Sequence, residues 1–432
     1  MEISFSKDSK IAILGFGVEG QATYQFLEGK GYENLTIFDE KKQADNIEND
    51  LSKLSEHDLI FRSPGFHKDH PNLKGLNVTS ATQLFFELCP CKTIGITGTK
   101  GKGTTSTLIY EILKEAGKAV YLGGNIGIPA LTFLDELDEE SIAILELSSF
   151  QLHDLTKSPN IGIILNTTSE HLDYHKDTEE YLQAKEAIVK FQKYGDAAIV
   201  NIDYPYFKRY EDLTEYNKFY VSAKKQVAHG AYTRREKIYL LDDEICNTDE
   251  VGLIGPHNLE NILPAIMAAS ILKIPNNIIK KVVQEFKGLP HRIEFIREHK
   301  SVKFYNDSFS TTPETCIAAI NSFKEPLILI AGGSEKKSDY DELGKKIASC
   351  ENLKEVILMG KTAKSIKASI EKNKDIKPEI TIVANYHDAF DLALEKAWEG
   401  YVILLSPACA SFDQFKNYKD RGEKFRNWVE SL

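Results

Sequence analysis

Nothing in these 432 residues stays apolar long enough to cross a membrane as a helix, since no run approaches the roughly 18 residues such a span needs. Cysteine is scarce, and Cys89, Cys91, Cys246, Cys316, Cys350 and Cys409 contain no C-x-x-C pair. The CPC at 89–91 is too tight for a usual zinc knuckle, so reduced cytosolic thiols are expected. Positive charge is also short: 53 Lys+Arg against 64 Asp+Glu leave a net charge of -11. That balance argues against nonspecific nucleic-acid binding, in which Lys and Arg neutralise phosphates. It leaves room for a local basic pocket that takes an anionic small molecule. The opening MEISFSKDSK lacks the apolar core of a secretory signal. The expectation is a cytoplasmic protein, a monomer, with no membrane or nucleic-acid partner.

Short β-like runs alternate with amphipathic helical stretches, which argues for an α/β chain with mainly parallel sheets. Expected strands are 11–14, 35–38, 58–61, 93–97, 119–122, 142–147, 161–165 and 197–200, then 302–306, 327–332, 355–360, 379–384 and 401–406. There is no internal repeat, low-complexity tract or long linker. Boundaries are expected at ELCPC (87–91), just before a new strand and glycine loop, and at FKGLPHR (286–292). Three domains result: 1–89, 90–289 and 290–432.

Two glycine loops stand out. Gly15, Gly17 and Gly20 in LGFGVEGQ form a G-x-G-x-x-G between a strand and a helix. Asp39 follows about twenty residues on, the layout of a dinucleotide fingerprint. The second loop, GTKGKGTT from Gly98 to Thr105, follows strand TIGIT and opens a helix. Gly98, Thr99, Lys100, Gly101, Lys102, Gly103, Thr104 and Thr105 make an anion cradle of backbone N–H groups, with Lys102 for the β/γ oxygens of ATP and a hydroxyl for Mg²⁺. The spacing departs from the strict P-loop. Gly95 is one residue too far from Gly101, and Gly103 follows Lys102, so Thr104 and Thr105 are the candidate hydroxyls. Two such loops disfavour a simple dehydrogenase. They suit an enzyme that uses ATP on a nucleotide-linked substrate.

Glu146 sits amid apolar residues in IAILEL, and a buried carboxylate needs a partner such as Mg²⁺. In LNTTSEHLDYH, His171 and His175 have the i, i+4 spacing of a zinc pair, but the HExxH glutamate is absent. One histidine near a metal and one on the surface is the expected arrangement. Lys185, on an amphipathic helix, reads by itself as a solvated surface lysine.

Taken together, GTKGKGTT, GGNIG (123–127), LELSSFQL (145–152), LNTTSEHLD (165–173), the QAKEAI lysine, GPHNLEN (255–261), GLPHR (288–292), NDS (306–308) and SPACASFDQFKNYKDRGEKF (406–425) resemble the Mur ligases over the whole chain. The resemblance implies a Rossmann-like UDP-binding domain, a P-loop ATPase-like domain and a second Rossmann-like domain. It further implies a cytoplasmic ATP-dependent ligase of peptidoglycan-precursor synthesis that adds glutamate to UDP-N-acetylmuramoyl-L-alanine through an acyl phosphate. Val18, Glu19, Asp39 and the turn Ser63-Pro64-Gly65 would hold the UDP group, with Ser148 and Gln151 also on the substrate. Glu146 and Thr104 would hold one Mg²⁺, and His171 and an N-carbamylated Lys185 a second. Lys102, Glu146, His171 and Lys185 would be catalytic. Asn125 would contact ATP or the acyl group, and Asn258, Asn261, Arg292 and Asp307 would contact ATP. Thr311, Ser411, Tyr418 and Lys336 would serve glutamate, with Lys337 adjacent as the alternative to Lys336.

The sequence also departs from the family. Its D-glutamate ligases commonly carry a lysine where NDSFSTTPE has Phe309. Glutamate chirality therefore stays open between D, which is favoured, and L. Three other readings compete. A folylpolyglutamate synthase-like ligase would lack the N-terminal glycine-loop domain. An NAD-dependent oxidoreductase would give Glu146 and the second loop no task. A non-catalytic scaffold would be missing a catalytic residue.

Overall fold

Three β-sheets organise the chain, which divides into two compact units: Met1–Val251 with Leu259–Gln284, and Gly252–Asn258 with Glu285–Leu432. The computed structural model describes residues 5–432 apart from 41, 43, 45, 127, 169, 171–173, 335–337 and 375. His171, Lys336 and Lys337 lie outside the described residues.

The first unit holds two sheets. In the five-stranded one, Ile11–Leu14 lies between Leu35–Phe38 and Leu59–Arg62, with two-residue strands Ile47–Glu48 and Val78–Thr79 at the edges, all parallel. The larger sheet has nine strands. Val120–Gly124, Ile142–Glu146, Lys92–Thr97, Ile161–Ile164, Ala197–Asn201, Asn217–Ser222 and Gly230–Arg234 run parallel in that order, and an antiparallel meander of Lys237–Leu240 and Asp243–Asn247 ends it. The central strands are buried along their length, which is why they read as continuous apolar runs. One apolar cluster runs from Ile11, Phe26 and Phe85 to Phe133 and Leu145, so the two sheets share a core. Phe85 meets Phe133 edge-on at 5.8 Å.

The second unit is a three-layer sandwich. Its sheet places Glu294–His299, Val302–Asn306, Val402–Leu405, Leu327–Gly332, Leu353–Met359 and Glu379–Ile382 side by side. All pairs are parallel except the first hairpin. Helices Pro313–Ile320, Asp341–Ser349 and Ala363–Glu371 cover one face, while Tyr386–Lys396 and Tyr418–Glu430 cover the other.

All thirteen expected strands are present. Five longer ones were not expected: Asn217–Ser222, Gly230–Arg234, Lys237–Leu240, Asp243–Asn247 and Glu294–His299. Three of their connections are two-residue turns at Arg235–Glu236, Leu241–Asp242 and Lys300–Ser301, and all six residues have φ between 48° and 72°. Such turns usually use Asn-Gly or Asp-Gly. Without those residues, the hairpins carried no turn signal. Among the described residues, no helix is long and apolar enough to cross a membrane.

Candidate active site

The phosphate-type loop sits where strand Lys92–Thr97 ends and helix Lys102–Glu115 begins. Gly101 caps that helix with φ 87°, and a Cβ there would run into the Asn261 side-chain oxygen. Glycine is required at this point by both backbone angle and space. The Lys102 ammonium lies over the loop, donating to the carbonyls of Gly98 at 2.9 Å and Thr99 at 3.2 Å. Thr104 and Thr105 are buried in the first turn, and the Thr105 hydroxyl donates to the Asn261 carbonyl at 3.2 Å. Lys100 points out to solvent and pairs with Glu170 at 2.8 Å, so its side chain leaves the cradle that its backbone helps to form.

Glu146 ends the neighbouring strand and is 6% exposed. The Asn125 amide donates to its Oε1 at 2.7 Å, and the Asn125 N–H donates to its backbone carbonyl at 2.9 Å. Lys185 is 1% exposed, which overturns the surface reading of its helix pattern. Its Nζ donates to the Thr97 hydroxyl at 3.2 Å and the Gly98 carbonyl at 3.3 Å. Burial holds this amine well below its ordinary pKa, and the charge of Lys102 pushes the same way. Helical periodicity misses such a lysine because the face it occupies packs on the phosphate loop. His175 is also a correction: it is buried, bonded to the Ser149 hydroxyl at 2.9 Å and stacked on Phe150, not on the surface. Burial lowers its pKa to about 4.

A cleft of about 660 Å³ opens beside this cluster. Its lining includes Gly15, Val18, Glu19, Asp39, Ser63, Pro64 and Gly65 from the first sheet, and Asn125, Ser148 and Gln151 from the second. The Gly15 turn is held from two sides. The Ser63 hydroxyl donates to the Gly15 carbonyl at 2.6 Å, and Asp39 accepts the Phe16 N–H at 2.9 Å. Asp39 also accepts the Lys42 N–H at 3.1 Å, so in this structure its carboxylate shapes the loop. Glu19 accepts a hydrogen bond from Gln151 across the cleft, and burial raises its carboxyl pKa. Ser148 and Gln151 close a reciprocal capping box on helix Ser149–Leu152.

The model of the Mur ligase middle domain matches residues 96–269, and that of the Mur ligase, glutamate ligase domain, matches residues 291–409. A UDP-N-acetylmuramoylalanine--D-glutamate ligase from Clostridium tetani is 37% identical, covering 99% of this chain and 98% of its own. The protein of the same name from Acetivibrio thermocellus is 38% identical over 99% and 97%. The chain belongs to the Mur ligase family. The Mur ligase fold is also seen in two solved structures from Thermotoga maritima. MurF ligase in complex with ADP is 19% identical, with a TM-score of 0.59 over 98% of this chain and 94% of its own. UDP-N-acetylmuramate-alanine ligase MurC is 16% identical, with a TM-score of 0.61 over 98% and 99%.

In the second unit of this Mur ligase, Asn258 donates its side-chain amide to the Ile254 carbonyl at 2.7 Å. Asp307 accepts the Ser406 hydroxyl at 2.7 Å and the Ile293 N–H at 3.2 Å. Burial raises its carboxyl pKa to about 7. Ser411 is buried, whereas Thr311 and Tyr418 are partly exposed. The Tyr418 carbonyl accepts the Ser308 hydroxyl at 2.7 Å.

Two buried arginines had no assigned role at the level of sequence. Arg421 is fully buried and donates to the carbonyls of Ser308 at 2.8 Å, Cys409 at 3.0 Å and Ala410 at 3.3 Å. It ties the NDS and SPACASF loops into one surface. Arg62 ends an otherwise apolar strand, pairs with Asp154 and donates to the Phe66 carbonyl and to the Tyr174 hydroxyl at 3.2 Å. It thereby fixes the segment after Ser63–Gly65. An arginine at the end of LIFR is the one signal that could have shown it.

Proposed function

We propose that this Mur ligase joins D-glutamate to UDP-N-acetylmuramoyl-L-alanine with ATP, a cytoplasmic step of peptidoglycan-precursor synthesis. The observation that carries the reading is Asn125. It lines the nucleotide-sized cleft and also bonds Glu146, beside the Lys102 loop. A UDP-sugar held by Val18, Glu19 and the Ser63–Gly65 turn would thus present its far end to the phosphate-handling groups. The full-length relatives named for this reaction support the same substrates.

The chemistry follows from the groups at hand. The substrate carboxylate attacks the γ-phosphorus of ATP and ADP leaves, giving an acyl phosphate. The glutamate amine then attacks the acyl carbon, phosphate leaves, the amine gives up a proton and the amide forms. Lys102 and the loop N–H groups stabilise charge on the transferred oxygens. Asn258, Asn261, Arg292 and Asp307 would contact ATP. Thr311, Ser411, Tyr418 and Lys336 or Lys337 would orient glutamate.

Glu146 fits a hard cation: it is a buried carboxylate whose side-chain partner among the described residues is a neutral amide. Glu146 and Thr104 would hold one Mg²⁺, and Lys185 with His171 a second. When bound, Mg²⁺ neutralises the phosphate oxygens. Lys185 fits carbamylation because burial lowers its pKa and so favours the neutral amine, the form that adds CO₂. The resulting carbamate is a carboxylate-like ligand.

Phosphate release with UDP-N-acetylmuramoyl-L-alanine and ATP, comparing D- with L-glutamate, tests the proposal. Release dependent on D-glutamate is expected. Release with L-glutamate alone would reverse the chirality, and none with either would overturn the reading.

A further inference from the structure

Four of the six cysteines are buried, and the other two, Cys89 and Cys91, are partly exposed. They flank Pro90, where helix Ala81–Leu88 gives way to strand Lys92–Thr97. That strand carries the phosphate loop at its other end. The two sulfurs lie 3.5 Å apart, so one thiol donates to the other.

We propose that Cys89 and Cys91 form a reversible dithiol–disulfide site that reacts with small-molecule disulfides of the glutathione class.

The backbone sets up the pair. Proline fixes its own φ and keeps the residue before it out of the helical region. Cys89 accordingly sits extended, at φ -61° and ψ 119°, and the helix stops there. The Cys89 N–H still donates to the Phe85 carbonyl at 2.8 Å, and both side chains pack against the apolar cluster that includes Phe85. Two thiols held in contact across one rigid residue lose little further freedom when they join.

The surroundings suit exchange and not metal binding. Among the described residues, no third His, Cys, Asp or Glu donor stands with the two sulfurs, whereas a structural zinc site takes four ligands. The hydrogen bond from Cys91 holds the Cys89 thiol below its ordinary pKa, and the same bond together with burial raises that of Cys91. Cys89 is therefore the attacking thiolate. In its protonated form Cys89 also reaches the Cys91 carbonyl, at 3.8 Å.

Exchange runs in two steps. The Cys89 thiolate attacks one sulfur of the small disulfide, forming a mixed disulfide and releasing one thiolate. Cys91 then gives up its proton, its sulfur attacks that of Cys89, and a second thiolate leaves. The two thiolates take up the protons that the cysteines lost. One protein disulfide and two small thiols result, so two electrons pass from the protein to the small disulfide. Excess thiol reverses both steps, which leaves the pair reduced in a reducing compartment. Neither cysteine lines the cleft beside Asn125, so the modification lies outside the reaction site.

The test uses the full chain, reduced, freed of reductant and incubated folded with excess oxidised glutathione. Free thiols are counted and the intact mass is measured before and after. Two of the six thiols should be lost, with the mass lower by two hydrogens and no glutathione attached. Peptide mapping should place the bond between Cys89 and Cys91, and dithiothreitol should restore all six thiols. Cys91→Ser removes the second step and should stop at a glutathione adduct on Cys89. Cys89→Ser should form no disulfide within the chain. The wild-type result decides alone if a variant does not fold. Retention of all six thiols, a lasting glutathione adduct on the wild type, or a bond between other cysteines overturns the proposal.

Discussion

The guanidinium of Arg292 lies over the face of Phe309, 4.1 Å from the ring centre, and that ring meets Tyr418 edge-on at 4.8 Å. Phe309 is therefore a platform for a cation. Such a contact is worth roughly 0.5–1 kcal/mol at an accessible site, a factor of about two to five. Phe309→Leu keeps an apolar side chain and removes the π face. It should raise the KM for ATP by about that factor and leave the KM for the UDP-sugar unchanged. An unaltered KM for ATP would take Arg292 off the nucleotide. Phe309→Lys sets an ammonium beside the guanidinium, and the ratio of kcat/KM for D- and L-glutamate should shift. An identical ratio would show that residue 309 does not set chirality.

Lys102 and Glu146 act, in this reading, on charge that develops during phosphoryl transfer. Lys102→Ala and Glu146→Gln should each lower kcat by about 10²–10³, with much smaller changes in KM for the UDP-sugar. Steady-state kinetics on both substrates would separate the two effects. A change confined to KM for the UDP-sugar would refute the loop assignment.

Lys185 should carry a carbamate. Protein equilibrated with ¹³C-bicarbonate should show a carbamate resonance that is missing from Lys185→Ala. That variant should be inactive and partly restored by short carboxylates. Full turnover of Lys185→Ala in CO₂-depleted buffer would rule the carbamate out.

Asp307 makes stability depend on pH in a direction opposite to most carboxylates. Its pKa rises from 3.8 to about 7 in the folded chain, because burial penalises the charged form. The folded state therefore holds a proton that the unfolded state has released. The associated stability is fully present below about pH 4 and is lost as pH rises through about 7. Asp307→Asn should abolish this decline. Urea unfolding of both proteins across that window would show it as a narrowing stability difference, and parallel curves would place the Asp307 pKa near its ordinary value.

The sequence by itself determined the α/β class, thirteen of the strands, the two glycine loops and the family. These depend on local order: a doubly covered strand is an apolar run, and a phosphate loop is a contiguous peptide. The hairpins 230–247 and 294–306 escaped because their turns use Arg235–Glu236, Leu241–Asp242 and Lys300–Ser301, residues with no turn signature. Only the tertiary structure could decide burial of charge. Lys185 looks solvated on its helix, yet that face packs on Gly98 and Thr97 from a strand almost ninety residues earlier. The same holds for Arg62 with Asp154 and for Arg421 with Ser308. Each grouping joins distant segments, and a side chain's solvation depends on what the fold brings against it, which no local pattern records.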